Sequence, residues 1–257
     1  MSLSQLTFSS PTTLVHVVRF AGLTHLSLIA STAAPSYSFT LPVVALLARL
    51  PLEHLTLTNF SDISVPALAT TCTGLKSLAL LAGSAAGEFI VEPIFPRIRR
   101  LRLSCSMGQK ILLGLLHACP DLVELHLEED FLSGAFLTGP RLLESPRPNL
   151  PQLEQLTLRT QPPGCDSVVD LRVSPADLDA ALAALPALRR VRTDNFKIRF
   201  HLENSATRQQ PIALEWCVCT KCFAEYPKVS PKQRELWENA HYKRVGMGTA
   251  ALGIMMS

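Results

Sequence analysis

Two groups of residues in this 257-residue chain have types and spacings that could do chemistry. The first is a charged set at alternate positions: Arg100 and Arg102, then Glu124, His126 and Glu128, then Arg159, then Arg190 and Arg192. A spacing of two puts side chains on one face of a strand. There they either grip a charged partner or pair laterally with neighbouring strands, each such pair contributing about 0.2–1 kcal/mol. The second group is Cys217-Val-Cys219-Thr-Lys-Cys222, a weak zinc candidate if His201 or His241 completes a tetrahedron. A structural site wants four ligands and a second close pair is missing, so ordinary packing is the better account and no metal or cofactor is expected. His25, His54, His117 and His126 fall at repeating positions and do not gather around a nucleophile. The chain has no G-x-S-x-G elbow, Walker loop, dinucleotide fingerprint or H-E-x-x-H pair, which points away from an enzyme.

The elements that must carry these residues are set by a recurring phrase, L-x-x-L-x-L. It is clearest at Leu75–Leu80, Ile98–Leu103 and Leu122–Leu127, with further copies at Leu23–Leu28, Leu52–Leu57 and Leu153–Leu158. A first copy is read at Leu3-Ser-Gln-Leu6-Thr-Phe8 and a degraded one at Leu188-Arg-Arg-Val191-Arg-Thr193. A period of 20–29 residues with this phrase is the mark of leucine-rich repeats. The last two apolar residues of each phrase point inward while those between them point out. Stacked strands then form a parallel sheet, and parallel pairing demands a crossover between copies. Leu41–Leu50, Gln109–Ala118 and the segment opened by Ser174-Pro175 supply helical crossovers. The expected fold is α/β: a leucine-rich-repeat solenoid with a parallel concave sheet and helices or loops on its convex side.

Residues 1–195 are assigned to the solenoid and 196–257 to a C-terminal unit. Within the latter, Phe196–Leu202 and Ile212–Val218 alternate apolar with polar and predict a hairpin that caps the sheet. Ser230-Pro231-Lys-Gln233 opens a predicted final helix, followed by an apolar tail too short to span a bilayer. Two gaps have loop composition: Phe131–Leu150, with two glycines and three prolines, and Gln161–Val173, which holds Cys165. Residues 1–50 carry only Arg19 and Arg49, so the first repeat is expected to be covered by a preceding segment or a partner.

The net charge of +3 is too small to imply nucleic acid or an anionic membrane as partner. Seven cysteines without framework spacing and no basic leader suggest a reducing, intracellular setting, cytoplasmic or nuclear.

Cys72-Thr-Gly-Leu75 and Cys119-Pro-Asp-Leu122 place cysteine three residues before the first leucine of the phrase. Together with Leu115-Leu116-His-Ala-Cys119-Pro-Asp-Leu122-Val-Glu-Leu125-His-Leu127, this resembles the repeats of F-box/leucine-rich-repeat proteins and their ribonuclease-inhibitor-like relatives, over residues 1–193. The resemblance implies a curved, non-catalytic module that holds target proteins, in that subfamily for ubiquitin ligation. The family's F-box is not found, so a ligase adaptor is an expected partner only if an F-box precedes residue 1. The alternative expectation is a stand-alone repeat scaffold or inhibitor.

Overall fold

The structure, a computed structural model, describes residues 2–8, 16–17, 19–30, 41–87, 95–128, 130–159, 173–193, 195, 198, 201–202 and 213–216. Its strands are β1 (Ser2–Phe8), β2 (His25–Ala30), β3 (His54–Thr58), β4 (Ile63–Ser64), β5 (Ser77–Ala86), β6 (Arg100–Ser106), β7 (Glu124–Glu128), β8 (Gln155–Arg159), β9 (Arg190–Thr193) and β10 (Ala213–Trp216). All but the two-residue β4, which pairs with the end of β5, lie side by side in chain order. Every pairing is parallel, and the sheet is open.

Alternation sets which face is buried. Leu26, Leu55, Leu78, Leu101, Leu125 and Leu156 form one row in register, and Leu28, Leu57, Leu80, Leu103, Leu127 and Leu158 form the next. None of the twelve exceeds 2% exposure. Burying a leucine contributes roughly 1.5–3 kcal/mol, so these rows dominate the fold's stability.

The joint between rungs repeats as faithfully as the leucines do. The carbonyls of Thr24, Glu53, Lys76, Arg99, Val123 and Glu154 each accept two backbone amides from the start of the next rung, at 2.7–3.2 Å. A tight turn precedes each joint. The amides of Leu23, Leu75, Ile98, Leu122, Leu153 and Leu188 donate to carbonyls three residues back, on Phe20, Cys72, Phe95, Cys119, Leu150 and Leu185. All of those but Phe20 are buried, so Cys72 and Cys119 fill an apolar slot that Phe or Leu fills elsewhere.

The helices are α1 (Leu41–Leu47), α2 (Val65–Thr71), α3 (Gln109–His117), α4 (Asp130–Leu142) and α5 (Pro175–Ala183). Their buried residues, among them Leu47, Leu68, Leu112, Leu116, Phe136 and Leu182, join the strand leucines in one core. At α5 the Ser174 hydroxyl accepts the Asp177 amide at 3.1 Å, with Pro175 in the first helical turn. The expected helices at 41–50, 109–118 and after Ser174 are therefore present. α2 was not anticipated, although Pro66 and the spacing of Val65, Leu68 and Ala69 announce it.

One stretch is locked by a glycine. The pairing of β5 with β6 shifts register between Leu81 and Ser84, where Ala82 has φ 45° and Gly83 φ 147°. The Ser84 amide donates to the Phe60 carbonyl at 2.9 Å. A Cβ at Gly83 would overlap that same carbonyl oxygen, so no other residue fits without moving the chain.

Four expectations are corrected. The segment 131–150 is not all loop, because α4 occupies its first part. Leu132, Ala135 and Phe136 are buried at helical spacing, and the Ser133 hydroxyl, also buried, donates to the Arg159 carbonyl at 3.1 Å. Pro140 stands in the last turn of the helix, so its missing amide and its ring disturb only that end.

The strand expected over 196–202 is instead helical at Ile198, His201 and Leu202. Asn195 acts as its cap: the side-chain carbonyl accepts the Ile198 amide at 3.2 Å, while Thr193 Oγ1 accepts the Asn195 amide at 3.1 Å. Ile198 and Leu202, four apart, both reach the core. With a helical segment between them, β9 and β10 pair in parallel, so the expected hairpin is replaced by one more rung and the sheet runs past residue 195.

The first copy of the phrase is out of phase. Leu3 pairs with Leu26 and Leu6 with Leu28, with a bulge between them, whereas the phrase puts Leu6 opposite Leu26. The expected loop at 161–172, the helix from Ser230, the apolar tail, Cys165, Cys217, Cys219, Cys222 and His241 lie outside the described residues.

Candidate functional site

The face opposite the leucines carries two rows, polar at every position but Ala79, each in register from rung to rung. One runs His25, His54, Ser77, Arg100, Glu124, Gln155, Arg190; the other runs Ser27, Thr56, Ala79, Arg102, His126, Thr157, Arg192. Each residue is placed there because it sits between the two inward leucines of its phrase or just ahead of them. The structure therefore brings together every charged residue singled out by spacing: Arg100, Arg102, Glu124, His126, Glu128, Arg159, Arg190 and Arg192 stand on four consecutive strands.

Their charges meet across neighbouring strands. Arg102 holds Glu128 with two bonds, Nε to Oε1 at 3.1 Å and Nη2 to Oε2 at 3.0 Å. Glu128 is only 8% exposed and has Arg159 opposite it in register on the other side, so this carboxylate is flanked by cations from both neighbours. Arg100 Nε lies 3.4 Å from Glu124 Oε1, a longer and more exposed contact. The lateral pairing is real, with Arg102 reaching diagonally to Glu128 and not to Glu124.

His126 stands between Arg102 and Thr157 in the second row. Burial lowers its pKa, Glu124 and Glu128 act in the opposite direction, and Arg102 and Arg159 add to the lowering. The ring is thus held toward its neutral form. Thr157 beside it is 6% exposed and forms the floor of the row.

The other end of the face is nearly neutral. His25 and His54 stack with ring centroids 4.1 Å apart and 18° between planes, and His25 Nδ1 lies 2.9 Å from Thr24 Oγ1. Burial, then the neighbouring His25, lowers the His54 pKa. Along the rim Lys76 Nζ meets Glu53 Oε1 at 2.7 Å, and that hydrogen bond holds the Glu53 carboxyl below its ordinary value. Sequence reasoning placed both histidines on the face without pairing them. The signal was present, since both occupy the same phrase position in successive copies.

The face offers charges and hydrogen-bonding groups. Cys72, Cys105 and Cys119 are buried and outside any disulfide, and burial pushes the Cys72 and Cys119 pKa values up, away from the reactive thiolate. His201, one candidate to complete a zinc site, has its Nε2 2.7 Å from Asp179 Oδ1. Among the described residues no three His, Cys, Asp or Glu side chains gather to hold a metal, and no helix is long and apolar enough to cross a membrane. No protein-family model matches the chain, and no curated protein matches it.

Proposed function

We propose that the chain is a leucine-rich-repeat solenoid that binds another protein on its open polar face and performs no catalysis. The repeat class is supported by three features that recur together: the phrase, the turn ahead of it, and the paired amides on one carbonyl. The observation that carries the binding role is the pair of polar rows, in register across seven strands and opposite a core of leucines. A rigid sheet face with graded side chains offers many directed contacts at little ordering cost.

The test is selection of binding peptides or domains from a random display library, followed by mapping. Arg190→Glu with Arg192→Glu should abolish capture, whereas Lys110→Glu, an exposed position on α3 away from that face, should leave it intact. Ligands that ignore the open face in both variants would refute the proposal.

The narrower role, holding a target for ubiquitin transfer, is supported by the likeness of the Cys-x-x-Leu phrases to F-box/leucine-rich-repeat proteins. Co-purification with the ligase adaptor would support that role. Face-dependent binding without any adaptor would favour a stand-alone scaffold or inhibitor.

A further inference from the structure

The rows repeat one arrangement twice: Arg100 and Arg190 in the first, Arg102 and Arg192 in the second, each pair three rungs apart. The residues between differ. The first row has Glu124 and Gln155, so a partner's acid would meet a carboxylate there. The second has His126, held toward neutrality, and the sunken Thr157. The second row is thus a track with a cation at each end and an uncharged middle. Arg102 spends two of its donors on Glu128, and a guanidinium has about five, so it can accept a further carboxylate. Arg192 is exposed, lies in register with Glu215 of β10 and has as many donors as Arg102, so it too can meet a further carboxylate beside the contacts it already makes.

We propose that this track takes an extended acidic protein segment lying across β6 to β9, with carboxylates four residues apart. Three rungs at about 4.8 Å each span roughly 14 Å. An extended chain advances about 3.4 Å per residue, so roughly four residues cover that span. Residues i and i+4 of an extended chain also point to the same side, as two simultaneous contacts require. Residue i+2 would then sit over His126 and Thr157, flanked by Glu124 and Glu128, where an acid is repelled and a neutral polar residue is favoured. The ligand pattern is therefore acid, any, neutral polar, any, acid. This rests on the open face being the binding surface.

The experiment uses the full chain and synthetic peptides with two aspartates spaced two, four or six apart on a Gly/Ser background, titrated by fluorescence anisotropy. The four-spaced peptide is expected to bind about tenfold more tightly than the others, the worth of one charge-assisted contact. That advantage should vanish in Arg192→Gln and persist in Arg97→Gln, an exposed arginine off the face, with melting curves confirming that both variants fold. Equal binding at all spacings would overturn the proposal, as would an advantage that survives Arg192→Gln or displacement of the peptide by equimolar single-stranded RNA. Should the display selection yield face-dependent ligands lacking spaced acids, the acidic track fails while protein recognition stands. Should it yield none, both fail.

Discussion

At the scale of single residues, the decisive fact is that the face's charges were built to satisfy one another as well as any partner. Glu128, nearly buried, has both carboxylate oxygens bound by Arg102; removing that partner would leave a charge unpaired at a desolvated position. His126 shows the reverse balance, with burial outweighing two nearby carboxylates. A histidine whose folded pKa lies below its unfolded value adds stability that is complete above about pH 6.5, the unfolded value. That stability is lost as pH falls through the folded pKa. His54 is shifted the same way and adds to the loss. His126→Gln should therefore flatten part of the stability decline between pH 7 and 5 in denaturant titrations, and an unaltered slope would show that the imidazole is freely solvated.

Elements were legible in the sequence where a single period governed them. The central strands could be read because each phrase places two leucines inward, and α5 because Ser174-Pro175 is both cap and first turn. Where two periods compete the reading failed. Phe196, Ile198, Phe200 and Leu202 alternate like a strand, yet Ile198 and Leu202 are also one helical turn apart, and the Asn195 cap decides the outcome. α4 was hidden by its Gly and Pro content, which tertiary burial of Leu132 and Phe136 overrides. The register shift after Leu81 depends on the Phe60 carbonyl from another rung, which the local sequence does not announce. Gly83→Ala should cost at least about 2 kcal/mol through its backbone conformation and the overlap. For a chain of this size that is a fall in Tm of about 4–8 °C, and an unchanged melting curve would mean the loop relaxes freely.

For the molecule as a whole, stability is distributed along a line, since each rung packs on the one before and the one after. Leu125→Ala, in the middle of the ladder and fully buried, should cost about 2–5 kcal/mol. Because a central rung touches both halves, calorimetry should show one cooperative transition giving way to two. A single transition at the original temperature would place Leu125 outside the core. The common face of the eight charged residues was legible at this scale too, since a spacing of two put them on one side of four neighbouring strands. What the linear chain withheld was their pairing, which follows from register between strands 24 to 35 residues apart and is fixed by the joints.

Those joints have a consequence for how such a chain can change. One carbonyl clamps the first two amides of the following rung at six successive steps, whatever side chains flank it. The connection is therefore indifferent to which turns it connects. Whole turns could be duplicated or excised with the backbone seam intact, so that the polar face can be re-edited one rung at a time while the scaffold beneath keeps its stitching.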